Sequence, residues 1–398
     1  MTVTAQATSA LSWQRARTAA YEAGAAQPAP AAEVPLESAD GATLARPLLT
    51  RTDLPAFPTS SVDGWATRGP APWRIVGRIL AGTRAEPLTE DGTCVEIATG
   101  AMVPIGTEQI VRVEDSARAE DGRVTGEARA PKEWREPGEE ARAGEELFPA
   151  GTPVTPGLIG LAASCGYDAL AITRPKAAVL VFGDELLTEG LPGDGRVRDS
   201  LGPSVPACLR RLGADAGQAR GPVEDTLPAH VAALRAALDD GADIVCTTGG
   251  TMHGPVDHLH PALHELGAEY MVNTVEVRPG FPMLLASVAS PRGGRALVAG
   301  LPGNPQSAIV ALVSLVAPAL AGLSGRPLPE LRRIRLTEKI PGRGRYTHLA
   351  LVDRDGRPVS HVGSSMLRGL AGAVGFAVIP PGTEGVEGDE AMLVPLPL

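Results

Sequence analysis

At 398 residues the chain exceeds one ordinary hydrophobic core and must divide into several domains. Its 43% hydrophobic and 21% charged residues suit a globular protein, and 47 glycines and 37 prolines scattered between apolar runs indicate many turns rather than disorder. A formal net charge of −10 without a long Lys/Arg run gives no basic face for nucleic acid or an anionic membrane, so an anionic ligand has to be held by glycine loops and helix N-termini.

Residues Ser12 to Ala25 suit a short helix, and a Pro/Ala stretch follows to about Pro35. Val34 to Leu49 reads as strand, turn at Asp40-Gly41, strand. Residues 70 to 148 alternate short β-type runs (Trp73–Leu80, Cys94–Ile97, Gln109–Val113) with Gly/Asp turns, as in a compact β-rich unit. Leu158 to Cys165 is apolar at helical spacing and ends at Gly166. From Lys176 the pattern changes: Ala177–Phe182, Ala242–Thr248 and Ala296–Ala299 are continuous apolar strands, with helices expected at Leu201–Leu212, Pro228–Asp239 and Ser307–Leu323. The last of these contains Pro318 and reads as a buried helix rather than a membrane span. The fold class is therefore α/β plus β: a central open, mostly parallel sheet, a β-rich domain and a small C-terminal β domain with turns at Asp355-Gly356 and Pro381-Gly382. The expected division is 1–49 for the N-terminal helix and the start of a linking domain, 50–145 for the β-rich domain, and 146–175 for the return of the linking domain. The α/β domain then takes 176–326 and the C-terminal β domain 327–398.

Cys94, Cys165, Cys208 and Cys246 show no metal-ligand spacing and read as small core residues. Arg15 and Arg17 are followed by no apolar signal region, so a cytoplasmic location is expected. Chemistry concentrates at three loops, each at the end of an apolar strand: Gly183-Asp184-Glu185, Gly249-Gly250-Thr251-Met252-His253-Gly254 and Gly300-Leu301-Pro302-Gly303-Asn304-Pro305. Open α/β sheets bind ligands outside those strand ends. Asn304 and Pro305 suit the cap and first position of a helix whose free N–H groups would face the crevice and take a phosphate. Asp184, Glu185, Asp199, Asp225 and Asp257 are placed at the same edge, where carboxylates suit Mg²⁺ with phosphate. His253, His258, His260 and His264 read as solvent-facing residues, because no third metal ligand is signalled.

Seven segments carry a resemblance. They are Ser60-Ser-Val-Asp63-Gly-Trp-Ala66, Ala98-Thr99-Gly-Ala-Met-Val-Pro104, Gly138-Glu-Glu140, Gly183-Asp-Glu-Leu186, Thr248-Gly-Gly250, Arg278-Pro-Gly-Phe-Pro282 and Gly300-Leu-Pro-Gly-Asn-Pro305. In this order they resemble the molybdopterin molybdenumtransferases, and the sequence is also similar to the corresponding domain of gephyrin. The resemblance implies a homodimer of four-domain subunits, with the site between the α/β domain of one chain and the β-rich domain of the other. It also implies a reaction: adenylylated molybdopterin and molybdate give molybdenum cofactor and AMP, assisted by Mg²⁺ or another divalent cation. By the same resemblance Asp63, Thr99, Glu140, Glu185 and Asp225 are catalytic, and Asp184, Glu185 and Asp257 hold the metal. Asp199, Ser200, Gly249, Gly250, Arg278, Pro282, Pro302, Asn304, Pro305, Ser307, Ser364 and Ser365 would bind substrate.

The chain departs from the family pattern where the oxyanion is expected. Met252 replaces a serine, Phe281 a lysine and His348 an arginine; Glu140 stands for Asp, Leu201 for Asn and Phe182 for Thr. Two lost polar groups should weaken molybdate binding relative to the nucleotide-pterin, and His348 should add pH dependence. The departures also keep open a paralogue using the same cleft for another ligand or reaction, and a non-catalytic dimeric scaffold.

Overall fold

The computed structural model describes residues 10–129, 132–251 and 257–397. The chain opens with helix α1 (Trp13–Ala25) and strand β1 (Ala31–Pro35). The β-rich segment contributes β2 (Gly64–Arg68), β3 (Arg74–Ile79), β4 (Thr93–Ile97) and β5 (Gln109–Arg112), joined in the order β3-β4-β2-β5. Helix α2 (Pro156–Ser164) follows, started by Thr155, whose hydroxyl accepts from the Leu158 N–H at 3.3 Å, and by Pro156 in its first turn. Gly166, at φ +85°, ends that turn as its position after the helix anticipated. Strand β6 (Ala169–Thr173) then pairs antiparallel with β1 and with Thr43–Leu44, so residues on either side of the β-rich segment close one small sheet.

The central region runs β7 (Lys176–Phe182), α3 (Leu201–Arg211), β8 (Arg220–Val223), α4 (Leu227–Asp239), β9 (Ile244–Thr248), α5 (Leu259–Glu265), β10 (Glu269–Asn273), β11 (Val275–Arg278), β12 (Leu284–Ala289), β13 (Arg295–Leu301) and α6 (Pro305–Leu323). Strands β8, β7, β9 and β13 lie parallel side by side, and β12 and β10 extend the sheet antiparallel. The apolar runs of β7, β9 and β13 fit their burial on both faces. Strands β14 (Arg332–Arg335), β15 (Thr347–Val352), β16 (Gly375–Ile379) and β17 (Glu390–Pro395) complete a final sheet.

That final sheet is not built from the C-terminal segment alone. Its order is Leu11–Ser12, β11, β15, β16, β17, β14, so it takes one strand from the chain start and one from the central region. Likewise α1, expected to open the linking domain, packs in the same core as α6 and the central sheet through Trp13, Ala16, Ala20 and Ala23. Close approach of the two helices requires two glycines. A Cβ on Gly24 would lie 2.1 Å from the Ala319 carbonyl oxygen, and one on Gly322 would lie 2.3 Å from that of Tyr21. Trp13 is 1% exposed, and its Nε1–H donates to Ser314 Oγ at 2.9 Å. Ser314 lies in the single π-helical turn, Leu312–Val316, within α6. Helix α6 is long and apolar enough to cross a membrane, but 94% of its most apolar window is buried inside the protein, as expected of a core helix.

Candidate functional site

Because β7, β9 and β13 are parallel neighbours in register (Val181 beside Thr248, Thr248 beside Leu301), their C-terminal ends meet at one edge. Gly183, Gly249 and Pro302 leave those ends together. Gly249 and Gly250 have φ of +89° and +68°, a left-handed backbone that side chains disfavour. A cavity of about 760 Å³ opens there, lined by Glu185, Asp199, Ser200, Gly249, Gly250, Asp257, Pro282, Pro302, Asn304, Pro305 and Ser365. Eleven sequence-selected residues thus share one crevice.

The five carboxylates of this edge are not one cluster. Among the described residues no three His, Cys, Asp or Glu side chains gather closely enough to hold a metal by themselves. Glu185, Asp199 and Asp257 line the cavity, whereas Asp184 lines an adjoining hollow of about 340 Å³. Asp184 and Asp225 brace two loops reciprocally: the Asp184 N–H donates to Asp225 Oδ2 and the Asp225 N–H to Asp184 Oδ1, each at 3.3 Å. Asp199 also caps α3, its Oδ1 accepting from the N–H groups of Leu201 (3.0 Å) and Gly202 (2.9 Å).

Behind Asp225 lies His230, which the sequence reading passed over. It is 0% exposed, stacked on Phe182 with ring centroids 3.7 Å apart, and its Nε2 is 3.6 Å from Asp225 Oδ1. Neither ring nitrogen has a hydrogen-bond partner among the described residues. Burial pushes its pKa below the usual histidine value, partly opposed by Asp225. The available signal was Asp225 and His230 flanking the predicted start of α4. Of the histidines read as solvent-facing, His264 is exposed, but His258 meets the His230 ring edge-on at 5.6 Å and His260 Nδ1 lies 2.8 Å from the Tyr270 hydroxyl. Both are half-buried because α5 packs against α4 and β10. His253 and Met252 lie outside the described residues.

The N-terminus of α6 corrects the sequence reading directly. Pro305 has no N–H, and the N–H groups of Gln306 and Ser307 both point at the Ser364 carbonyl, at 2.9 and 3.4 Å. In return the Gly363 N–H donates to Gln306 Oε1 at 3.2 Å. A loop of the final β domain therefore plugs the helix end, and those donors are not free for a phosphate. On the far side of the plug lies a second hollow of about 830 Å³, lined by Arg278, Ser307, Arg343, Tyr346, His348 and Ser364, and sharing Pro282, Pro302 and Asn304 with the first. His348 is buried there, and its Nδ1 lies 2.8 Å from the Pro341 carbonyl, so Nδ1 carries the proton. Burial pushes its pKa down and Arg343 adds to the shift, against the expectation that it would protonate in mild acid.

Asp63, Thr99 and Glu140 are exposed on the β-rich segment and line neither hollow of their own chain. Asp63 Oδ1 accepts from the Thr99 N–H at 2.7 Å and its hydroxyl at 3.1 Å, which holds the carboxyl below the usual range.

By fold and site the chain is a multidomain α/β protein with a candidate crevice at the strand ends of its central sheet, against a closing β domain. Residues 11–166 match the MoeA N-terminal region (domain I and II), 178–322 a probable molybdopterin binding domain, and 333–396 the MoeA C-terminal region (domain IV). The molybdopterin molybdenumtransferase of Bacillus subtilis is 30% identical over 388 residues, covering 91% of this chain and 88% of that protein. The one from Staphylococcus aureus strain COL is 29% identical over 324 residues, 78% of this chain and 76% of its own length. A crystal structure of a molybdopterin biosynthesis moeA protein from Pyrococcus horikoshii has the same fold, with TM-score 0.75 at 23% identity over 98% of this chain and 99% of that one. The chain belongs to the molybdopterin molybdenumtransferase family, and so to the transferases of molybdenum cofactor biosynthesis.

Proposed function

We propose that the protein transfers molybdenum from molybdate to adenylylated molybdopterin with release of AMP, as a cytoplasmic homodimer. The observation that carries this reading is the strand-end cavity, where Glu185 and Asp257 share a wall system with the glycine pair Gly249-Gly250 and with Asn304. Breaking a phosphoanhydride bond needs positioning and charge neutralisation more than a protein nucleophile. Mg²⁺ commonly takes only one or two carboxylates and completes its shell with phosphate and water, so the absence of a three-carboxylate cage among the described residues fits a cation held jointly with substrate. Glu185 and Asp257 would hold it, with Asp184 nearby; such a cation would neutralise charge on the pyrophosphate oxygens. Asp225, braced against Asp184, would orient that group. Gly249, Gly250, Asp199, Ser200, Pro302, Asn304 and Pro305 would seat the nucleotide, and Arg278, Pro282, Ser307, Ser364 and Ser365 would face the other end of the substrate and the oxyanion. Asp63, Thr99 and Glu140 would complete the site from the partner subunit, which suits their exposure and their lining neither hollow of their own chain.

The test is molybdate-dependent AMP release across a Mg²⁺ titration, for wild type and for Glu185→Ala and Asp257→Ala. Both side chains are in loops, so the variants should fold normally and lose cation-dependent turnover. Wild-type activity in both at every Mg²⁺ concentration would refute the metal role.

A further inference from the structure

His230 is fully buried beside the crevice, and the chemistry described so far gives it no task. Its place is set by the start of α4. Thr226 caps the helix, and the His230 N–H closes the first turn on the Thr226 carbonyl at 3.0 Å. Asp225 stands one residue ahead of the cap, at the same helix end.

The imidazole has little freedom to turn. Phe182 covers one face, with ring centroids 3.7 Å apart and planes 16° apart, and His258 meets it edge-on at 5.6 Å. Held so, Nε2 is 3.6 Å from Asp225 Oδ1, and neither ring nitrogen has a hydrogen-bond partner among the described residues. An apolar side chain would fill the same space without stranding two polar atoms, so packing alone does not account for an imidazole here. Asp225 has the matching deficit: Oδ2 accepts from the Asp184 N–H at 3.3 Å, while Oδ1 faces the histidine at a distance too long for a hydrogen bond. The charged or titratable groups facing His230 are Asp225 ahead of α4, Asp184 in the loop after β7 and His258 ahead of α5. Burial outweighs the two carboxylates and keeps the ring neutral at pH 7, with one N–H and one lone pair. An ionised carboxylate only accepts, so the proton belongs on Nε2.

We propose that His230 is a positioning residue for Asp225: in the ligand-bound protein its Nε2–H closes onto Asp225 Oδ1 and fixes the direction in which that carboxylate meets the reacting phosphate group. Closing needs a shift of only about 0.6 Å, to an ordinary N–H···O length. The proposal deepens the proposed function, on which it depends for the role of Asp225 toward phosphate.

The experiment compares full-length wild type with His230→Phe, His230→Leu, His230→Gln and His230→Asn, by molybdate-dependent AMP release and by urea unfolding at pH 7. The amide of Gln reaches the place of Nε2, whereas that of Asn falls near Nδ1. His230→Phe and His230→Leu should lower kcat roughly 10- to 100-fold, the usual loss for a hydrogen bond to a charged group, with KM little changed. His230→Gln should recover most of kcat and His230→Asn should not. The Leu variant should be at least as stable as the Gln variant, so activity and stability rank in opposite orders, which a merely structural histidine would not produce. In an Asp225→Asn background, His230→Phe should lower kcat no further. Wild-type kcat in folded His230→Leu, or equal recovery by Gln and Asn, would overturn the proposal. Nitrogen-15 NMR of the wild type reads the arrangement without turnover. The ring signals lost in His230→Gln should be those of a neutral Nε2–H imidazole, with His348 as the Nδ1–H reference in the same spectrum. An Nδ1–H form at His230 would overturn the proposal whatever the activity. An Nε2–H form whose Nε2 signal moves in Asp225→Asn, in a protein that releases no AMP, would support the pairing and remove the transfer reaction instead.

Discussion

Gly24→Ala should destabilise the protein, even though alanine is the better helix former by about 1 kcal/mol. The new Cβ would meet three backbone atoms of α6, at 2.1 Å (Ala319 O), 2.9 Å (Ala319 C) and 3.0 Å (Leu323 N). Backbone cannot swing aside as a side chain does, so α1 has to move by about 1 Å to reach ordinary contact. Overpacking of this kind costs about 1–3 kcal/mol and lies at the upper end when no rotamer can relieve it, leaving a net loss of about 1–2 kcal/mol after the helix-propensity gain. Gly160→Ala, in α2, is the matched control: a Cβ there meets nothing within 4 Å, so the propensity gain of about 0.5–1 kcal/mol stands alone. Urea unfolding followed by circular dichroism and tryptophan emission should show midpoints shifted in opposite directions. Trp13 emission should redden in Gly24→Ala, because that ring is buried in the core that α1 shares with α6. A Gly24→Ala midpoint at or above wild type, with emission unshifted, would refute the close-packing account.

Two further outcomes follow from the site. Mixing Asp63→Ala with Glu185→Ala, each inactive alone, should restore activity through heterodimers with one intact site, to about a quarter of wild type at equal mixing. Verified subunit exchange without any recovery would count against a site shared between chains. The second outcome concerns pH: His230 and His348 both have folded pKa values below the unfolded value, so the unfolded chain takes up their protons first as pH falls. Their stability contribution is complete above about pH 6.5 and is lost below it, at up to about 1.4 kcal/mol per pH unit for each histidine. His230→Phe keeps a ring against Phe182 without a titrating nitrogen and should flatten the acid limb in urea midpoints measured between pH 7 and 5; a wild-type slope in that variant would refute the assignment.

The strands and loops that make the crevice were legible in the sequence because they are local. Ala177–Phe182 and Ala242–Thr248 are apolar runs ended by glycine, and that pattern alone puts Glu185, Gly249 and Gly250 at one sheet edge. What stayed hidden depends on residues far apart in the chain. Capping rules make Asn304-Pro305 a helix start with open N–H groups, but no local rule says that the carbonyl of Ser364 will fill it. Arg343 resembled any surface arginine until a turn pinned against Gly382 and Gly385 set it on the hollow that Arg278 also lines. His230 sits at the fifth position after Asp225, and only the packing of α4 on β7 turns that spacing into a buried imidazole behind a carboxylate. The burial of α1 beside α6 likewise needed Gly24 and Gly322 to be seen as facing one another.

The pairing of Trp13 with Ser314 has a consequence for how the protein is made. These partners are separated by 301 positions in the chain. At a synthesis rate of about 5–20 residues per second, α1 leaves the ribosome roughly 15–60 seconds before the helix that covers it. Strand Leu11–Ser12 waits for β11, and the sheet they join is finished only with β17. During that interval the Trp13, Ala16 and Ala20 face is uncovered, a binding target for chaperones and a point of vulnerability if translation stalls.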